Sequence, residues 1–438
     1  MSYLGRLVSK TVINGKNKVH YLQTTENCCK KEETIMKKRF LSAGLAVVMA
    51  ASLTACGGSG SASTTAAAAG ESKAEGESSA AADGAVFKIG GIGPVTGGAA
   101  VYGLAVQHGA EIAVEEINAA GGINGYQVEF KFQDDEADAE KSVNAYNALK
   151  DWGAQIIDGS TTSGACIAVT DKTKEDNMFQ ITPSGSAVEC VQYDNNFRVC
   201  FSNPNQGLAS AQYIGENGLA EKIAVIYDSS DVYSSGIYEK FVKEAENQPF
   251  EIVAAEAFTA DNKTDFSVQL QKAKDAGADM VFLPIYYQES ALILTQAAAM
   301  GYAPKWFSCD GMDGILGGVD NFDVSLTEGV MLLTPFAADA TDDLTQSFVT
   351  KYKEKYGETP NQFAADSYDA IYVIKAAIEK SGVTPDMSVS DICDGMKAAM
   401  TEITVDGLTG NGMTWTADGE ANKAPKAVVI ENGAYKAM

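Results

Sequence analysis

The sequence predicts an α/β protein built from two lobes, each containing a doubly wound parallel sheet. From Val86 onward, short apolar strands alternate with amphipathic helices, an order that requires parallel strands covered by helices on both faces. The alternation runs in two series, and the second begins near Pro204. The chain has 438 residues, 45% of them hydrophobic and 21% charged, which is enough for two such domains.

The first series contains the clearest patterns. The strand at 86–93 is short and apolar, and the helix at 102–120 repeats apolar residues at helical spacing until Gly121 and Gly122 end it. The segment at 126–134 alternates as a half-buried strand does. The same patterns predict a helix at 139–152, a strand at 155–158, a helix at 165–175 and a strand at 178–182.

The second series repeats this order, with several further elements behind it. Its helices are predicted at 205–217, 233–247, 266–276 and 289–300, and its strands at 223–227, 250–258, 280–284 and 305–308. Three helices then follow at 341–356, 364–380 and 391–399, and two strands at 410–415 and 427–431.

Composition excludes several classes of function. Lys and Arg total 33 against 58 Asp and Glu, a formal charge of −25, which disfavours nucleic-acid binding. Only two histidines occur, which argues against His-based metal sites and Ser-His catalysis. Neither a P-loop nor a Gly-x-Ser-x-Gly elbow is present. We therefore expect neither an enzyme nor a cofactor or metal.

The N-terminal region predicts a secretory signal at residues 36–55. Lys37, Lys38 and Arg39 precede an apolar run that is too short to span a bilayer, and the run ends in Leu53-Thr54-Ala55-Cys56. This ending resembles a bacterial lipobox, which implies a lipid on Cys56; a plain signal peptide is the alternative.

Residues 1–35 are interpreted as an extension from a start codon assigned too early, or else as a genuine extension. Residues 56–85 would hold the lipidated cysteine and a flexible linker rich in Gly, Ser and Ala.

The residues that follow the predicted strands suggest a binding site, because ligands of such sheets lie at the carboxyl ends of the strands. In the first series the loops at 93–98, 159–164 and 182–186 offer hydroxyls and glycine amides, which suit a carboxylate. In the second series Asp231, Tyr233, the segment 286–289 and Asp310 offer carboxylates and tyrosines, which suit a cation and an apolar group. An amino acid between the lobes would satisfy both sets.

Several motifs then resemble one family. They are Ile89-Gly90-Gly91-Ile92-Gly93-Pro94 with Thr96-Gly97, the run Glu116-Ile117-Asn118-Ala119-Ala120-Gly121-Gly122-Ile123-Asn124-Gly125, Asp134-Asp135, Ile181-Thr182-Pro183 and Phe197-Arg198. In this order they resemble the type I periplasmic binding proteins of the branched-chain amino-acid transport group, the leucine/isoleucine/valine-binding proteins. The resemblance extends from about Val86 to the C-terminus.

The resemblance implies roles for individual residues. Ser163, Ser184 and Ser186 match the positions that bind the α-carboxylate of the ligand, Ser184 through its backbone. Asp310 matches the acidic residue that faces the α-ammonium, in a shortened version because relatives carry Glu there. The aromatic wall positions are Tyr102, Tyr233, Tyr286 and Tyr368, and Glu289 is expected to add a polar contact.

The resemblance also implies a three-stranded hinge, with crossings near Asn203, Phe336 and Asn422. Lobe 1 would then comprise 86–203 and 337–422, and lobe 2 would comprise 204–336 and 423–438.

The disulfide of Gram-negative relatives is absent, because its positions hold Ala137 and Thr162. Cys166, Cys190 and Cys200 all fall in lobe 1, and a replacement bridge between Cys166 and Cys190 is left open because spacing does not determine pairing.

Together these features predict a monomeric, lipid-anchored solute-binding protein on the outer face of a bacterial cell membrane. It would capture a branched-chain or other apolar L-amino acid and deliver it to the permease subunits of an ABC importer. The alternatives are the same fold binding an amide or urea, or a ligand sensor that acts on a separate membrane receptor.

Overall fold

The computed structural model describes residues 84–438. The predicted extension, signal peptide, lipidation site at Cys56 and nearly all of the linker therefore lie outside the described residues. Within 84–438, no helix combines the length and the apolar character needed to cross a bilayer.

The first sheet has five parallel strands in the order β2-β1-β3-β4-β5. Adjacent residues of one strand, Ile156 and Ile157, are buried in different apolar clusters on the two faces of the sheet. This burial on both sides explains why the strands read as continuous apolar runs. The strands are β1 (Val86–Gly93), β2 (Gln127–Asp134), β3 (Ile156–Asp158), β4 (Phe179–Thr182) and β5 (Asn196–Arg198).

Three helices connect these strands: α1 (Ala100–Ala119), α2 (Ala139–Trp152) and α3 (Ser163–Asp176). The boundaries of α2 show why the sequence folds this way. The side chain of Asp138 accepts hydrogen bonds from two amides of the first turn, and Gly153 ends the helix in the left-handed conformation with a φ of 94°.

The second sheet has seven strands in the order β12-β11-β10-β9-β8-β6-β7. Its strands β6 to β10 are parallel and repeat the strand order of the first sheet, while β11 and β12 add an antiparallel hairpin at one edge. The strands are β6 (Lys222–Asp228), β7 (Glu251–Phe258), β8 (Met280–Leu283), β9 (Lys305–Ser308), β10 (Met331–Thr334), β11 (Lys426–Glu431) and β12 (Ala434–Ala437). The helices of this part are α4 (Asn203–Glu216), α5 (Val232–Ala245), α6 (Ser267–Asp275) and α7 (Tyr287–Ala299).

After β10 the chain returns to the first sheet with α8 (Asp343–Tyr356), α9 (Gln362–Ser381) and α10 (Val389–Met400). Helix α9 packs along α1 and contacts β3 and β4. The chain thus passes between the sheets three times: from β5 to α4, from β10 to α8, and before β11. Lys423 links two of these passages, because its ammonium donates to the carbonyl of Val199 at 2.9 Å and pairs with buried Asp366 at 2.7 Å. These two parallel-sheet lobes confirm the predicted fold class.

The structure corrects several predicted elements. The predicted strand at 410–415 makes only isolated bridges, from Met413 to Val405 and from Trp415 to Ala421, because the backbone turns at Gly412 with a φ of 63°. The strands β5, β10 and β12 were not predicted. They have three, four and four residues, too few to show a clear alternation.

The cysteines in the described part of the chain are buried free thiols. Cys166 and Cys190 lie in one small apolar cluster beneath the N-terminus of α3, but the structure contains no disulfide between them.

Candidate ligand-binding site

The carboxyl ends of the two sheets face each other and enclose a small inner cavity. Both sheets reverse their strand order here, between β1 and β3 and between β6 and β8, which is where doubly wound folds bind ligands. The cavity has a volume of about 10 Å³, roughly the space that one water needs. Its lining residues are Tyr102, Thr161, Thr162, Ser163, Ser184, Tyr233, Tyr286, Asp310, Gly311 and Phe363.

One wall of the inner cavity can bind an anion, because α3 begins there at Ser163. The amides of Ser163, Gly164 and Ala165 make no hydrogen bond to another group within residues 84–438, and Thr162 provides no side-chain cap. Free first-turn amides and the helix dipole together favour a carboxylate. The Oγ1 atom of Thr162, whose residue is only 6% exposed, also has no partner among the described residues.

The predicted serines surround this helix terminus. The Oγ of Ser163 accepts hydrogen bonds from the amides of Ser186 and Ala187, both at 3.1 Å. The Oγ of Ser184 donates to the carbonyl of Thr161 at 2.7 Å, and Ser184 lines the inner cavity. The structure therefore brings all three serines together at the start of α3.

Arg198 fixes the loop that carries these serines. Its fully buried guanidinium donates to the carbonyl of Gly185 at 3.2 Å and to that of Ala187 at 2.9 Å. The carboxylate of Glu420 lies 3.4 Å from the Nε of Arg198. A buried guanidinium that donates to two carbonyls of one loop holds that loop in one conformation.

The opposite wall holds Asp310, which follows β9 and is 6% exposed. Its Oδ1 accepts from the hydroxyl of Tyr233 at 2.6 Å, and its Oδ2 accepts from the Nε2 of Gln206 at 2.7 Å. Burial raises the pKa of Asp310 to about 7, although these hydrogen bonds act in the other direction. Its hydrogen-bonding partners are neutral, so an ammonium placed beside it would compensate the buried charge.

Aromatic rings close the cavity. The ring of Tyr286 lies 5.3 Å from that of Tyr102 and 5.0 Å from that of Tyr233, and the ring of Phe363 lies 4.5 Å from that of Tyr102. The Tyr102 hydroxyl, from the first lobe, donates to the carbonyl of Gly311 in the second lobe and accepts from the amide of Tyr287 at 3.2 Å. The lobes are therefore in direct contact at the inner cavity.

A larger outer chamber of about 360 Å³ adjoins the inner cavity, and Thr162 and Tyr286 line both. The predicted residue Glu289 lies here rather than in the inner cavity. Its carboxylate pairs with the ammonium of Lys263 at 2.9 Å.

One predicted site residue lies elsewhere. The hydroxyl of Tyr368 donates to Glu116 at 2.7 Å, and its ring packs 5.0 Å from that of Phe348 and 4.9 Å from that of Tyr372. Tyr368 therefore packs between helices rather than lining the cleft, and we drop it from the site. Phe363, in the first turn of the same helix, lines the cavity in its place.

Sequence reasoning also missed Gln206, Thr161 and Thr162 as site residues. The two threonines lie in the loop at 159–164, which the sequence predicts to be part of the binding site. Their position after β3 could therefore have identified them as site residues. Gln206 had no such signal, because it lies inside α4 and reaches Asp310 only through the packing of the second lobe.

Comparison with known proteins identifies the family. Residues 86–434 match the model of the family described as Periplasmic binding protein. A Leu/Ile/Val-binding protein homolog 3 of Brucella melitensis is 31% identical over 300 residues, which cover 68% of this chain and 80% of that protein. The branched-chain amino-acid transporter substrate-binding protein LivJ of Streptococcus pneumoniae, solved with isoleucine, superposes with a TM-score of 0.72 at 28% identity, covering 81% of this chain and 99% of LivJ.

A second solved structure shares the fold at lower sequence identity. A solute-binding protein of an ABC transporter from R. palustris, solved with benzoate, superposes with a TM-score of 0.71 at 20% identity, covering 81% of this chain and 95% of its own. At this identity the likeness concerns the fold alone. The chain belongs to the periplasmic binding protein family, and its relatives include the branched-chain amino-acid binding proteins that its motifs resemble.

Proposed function

We propose that this protein captures an α-amino acid between its two lobes and delivers it to an ABC importer. One observation carries the proposal: a single cavity has free helix amides on one wall and a buried carboxylate without a cationic partner on the other. These two walls complement the two charges of a zwitterion.

In this proposal the ligand's carboxylate binds the start of α3. The free amides of the first turn and the hydroxyl of Thr162 are its donors, Ser163 and Ser184 line the wall, and the amide of Ser186 holds the Oγ of Ser163 in place. Tyr233 and Gln206 hold the carboxylate of Asp310 in place for the ligand's ammonium. The bound ligand undergoes no chemical change, so the role needs neither a cofactor nor a catalytic group.

The side chain of the ligand would pack on the aromatic residues. Tyr102, Tyr286 and Phe363 form an apolar cover over the inner cavity. A branched-chain or other apolar L-amino acid fits this cover, in agreement with the isoleucine bound to LivJ and the ligands in the Brucella protein's name.

Capture would proceed by hinge closure. The ligand would bind to the open protein, and the lobes would then close over it by rotation at the three interlobe passages. The bond from Tyr102 to the carbonyl of Gly311 joins the two lobes directly and would stabilise the closed form. The closed form would then dock on the permease.

The N-terminal sequence supports the cellular context that we propose. A lipid on Cys56 would anchor a monomer to the outer face of the bacterial cell membrane, and the linker at 56–85 would let the lobes reach the permease. Ligands for such a protein come from outside the cell.

A thermal-shift screen tests the proposal. The full-length chain is unfolded and refolded to remove carried-over ligand, then melted with each of the twenty L-amino acids, acetamide, urea and several sugars. A ligand at 100 times its dissociation constant should stabilise the protein by about 2.7 kcal/mol, which raises the melting temperature. We expect a shift with a group of L-amino acids. A shift with only an amide, urea or a sugar would overturn the assignment of Asp310 and the amino-acid function.

A further inference from the structure

Away from the three interlobe passages, the hydrogen bonds between the lobes are concentrated at one place. Within residues 84–438 they all involve two residues of the first lobe, Tyr102 near the start of α1 and Gln362 at the start of α9. Tyr102 is 2% exposed and Gln362 is 1% exposed. Both reach the segment of the second lobe that begins at Asp310, so the lobes are joined beside the inner cavity.

Gln362 contacts both ends of one turn in the second lobe. The amide of Asp313 donates to the carbonyl of Asp310 at 2.8 Å, which closes the turn at 310–313. From the first lobe, the Nε2 of Gln362 donates to the same carbonyl at 3.2 Å, and the backbone amide of Gln362 donates to the Oδ2 of Asp313 at 3.0 Å. Gln362 therefore binds the backbone of the residue that we propose to hold the ligand's ammonium.

The bond to Asp313 uses an amide that has no partner inside its own helix. Gln362 is the first residue of α9, and the capping side chain of Asn361 accepts from the amide of Ala364 instead. A carboxylate is favoured at this end of a helix. Burial raises the pKa of Asp313, and the bond from Gln362 opposes the rise. When the lobes separate, water replaces both partners of this bond.

Apolar packing surrounds these hydrogen bonds. Val101 of α1 lies so close to the second lobe that a Cβ added at Gly314 or at Gly318 would come within 2.6 Å of one of its methyl groups. Tyr102, the next residue, makes the remaining interlobe hydrogen bonds. The starts of α1 and α9 thus form one surface that packs on the segment 310–318.

We propose that Gln362 is a positioning residue for ligand retention: closure of the lobes brings it onto the turn at 310–313, where it holds Asp310 against the ligand and slows reopening. Gln362 is not among the residues that line the inner cavity, so it acts through the turn. The inference rests on the proposed function only in that the lobes close over a solute. Bonds made only in the closed protein stabilise that state, so their loss should speed dissociation and leave association unchanged.

Stopped-flow kinetics of the refolded full-length chain with L-leucine test the inference, with intrinsic fluorescence as the signal. Gln362→Met keeps most of the side-chain volume and removes the donor to the carbonyl of Asp310. We expect the dissociation rate to rise by about two- to tenfold, the usual net effect of one hydrogen bond, and the association rate to stay within a factor of two. A dissociation rate less than twice that of the wild type overturns the inference.

A second variant reverses the polarity of the contact. Gln362→Glu places an acceptor opposite the carbonyl of Asp310 and a negative charge beside Asp313, so the closed protein should lose its ligand faster than in Gln362→Met. Dissociation from Gln362→Glu at the wild-type rate would contradict the proposed contact.

Gln155→Met is the matched control. The Nε2 of Gln155 also donates to a backbone carbonyl, that of Pro385 at 2.7 Å, but both residues belong to the first lobe. This variant should release leucine at the wild-type rate, and an equal rise in its dissociation rate would overturn the inference. Urea denaturation of the ligand-free protein adds a second readout. The midpoint of Gln362→Met should match the wild type, whereas a merely structural residue would lower it and leave dissociation unchanged.

The kinetics separate this inference from the proposed function. If leucine binds and Gln362→Met releases it at the wild-type rate, the inference fails and the proposed function stands. If acetamide, urea or a sugar binds and no amino acid does, the amino-acid function fails and the same kinetics with that solute test the inference. If no compound of the thermal-shift screen binds, both fail. Should Gln362→Met not fold, Gln362→Glu decides, and loss of folding in both variants would show a structural role and overturn the inference.

Discussion

At the scale of the residue, the proposed recognition of an amino acid depends most on Asp310. A carboxylate that is 6% exposed and bonded only to neutral groups is costly to keep ionised. Its surroundings contain another acid, Asp366, which raises its pKa further, but the ammonium of Lys423 already pairs with Asp366 at 2.7 Å. A cationic ligand group is therefore the natural partner of Asp310.

Replacing Asp310 by Asn should weaken amino-acid binding by about 2–5 kcal/mol, because it leaves the buried ammonium of the ligand without a counter-charge. Calorimetric titration with the amino acid that gives the largest thermal shift measures the loss. Tyr368→Phe is the control, since the hydroxyl of Tyr368 bonds Glu116 outside the cleft, and its affinity should match that of the wild type. An Asp310→Asn protein with wild-type affinity would refute the assigned role.

The affinity should also depend on pH. The pKa of Asp310 is raised to about 7 in the ligand-free protein, so below that value the residue is mostly protonated and binding of an ammonium must displace the proton. The association constant should rise up to about tenfold per pH unit from pH 5 towards 7 and then level off. Titrations at several pH values measure this slope. The slope should vanish in Asp310→Asn, and an equally steep slope in that variant would show that another group controls it.

Part of the site could be predicted at this scale. Ser163, Ser184, Ser186 and Asp310 lie in the segments that lead away from the ends of β3, β4 and β9, and the topology of a parallel sheet brings such positions together. Tyr368 could not be placed in the same way, because the direction in which a helical residue points depends on how its helix packs. Within α9, packing turns Phe363 towards the cleft and Tyr368 towards Glu116.

At the scale of the element, close helix packing supports the site. The first turn of α1 carries Tyr102, and α1 lies directly on α9, which carries Phe363. A Cβ added at Gly109 of α1 would lie 2.0 Å from the backbone oxygen of Ala364. The close approach of α1 and α9 at Gly109, which only glycine permits, therefore sets the positions of Tyr102 and Phe363.

Replacing Gly109 by Ala should destabilise the protein by about 1–3 kcal/mol, since the backbones of α1 and α9 must separate. Urea denaturation of the variant measures the change. Gly317→Ala serves as the control, because a Cβ there meets nothing within 4 Å, and its stability should stay within about 0.5 kcal/mol of the wild type. A Gly109→Ala variant as stable as Gly317→Ala would contradict the packing argument.

The sequence predicted elements well where they are long. Helix α2 matches its predicted range of 139–152, and β1 matches 86–93, because each contains enough residues to show its periodicity. The predicted strand at 410–415 failed because glycines at 410 and 412 interrupt it, and the three-residue β5 was missed because it is too short to show a pattern.

At the scale of the whole molecule, two lobes with the same strand order face each other across one cleft. The repeated order places a switch point in each lobe, so the groups that we propose to bind the ligand lie on both sides of the same cleft. Delivery would additionally require that the protein remain at the membrane.

Replacing Cys56 by Ser should release the protein from the membrane fraction, because a lipid at Cys56 is the proposed anchor. Fractionation of cells that express the full-length chain, followed by immunoblotting, measures the distribution. Ser replaces the sulfur alone and leaves the signal sequence intact. A Cys56→Ser protein that stays with the membrane would show that the anchor lies elsewhere.

A crystal structure with the amino acid that gives the largest thermal shift tests the central claim most directly. We expect its carboxylate on the first-turn amides of α3 beside Ser163, and its ammonium within about 3 Å of the carboxylate of Asp310. A ligand whose ammonium points away from Asp310, or a ligand bound outside the cleft, would contradict the account.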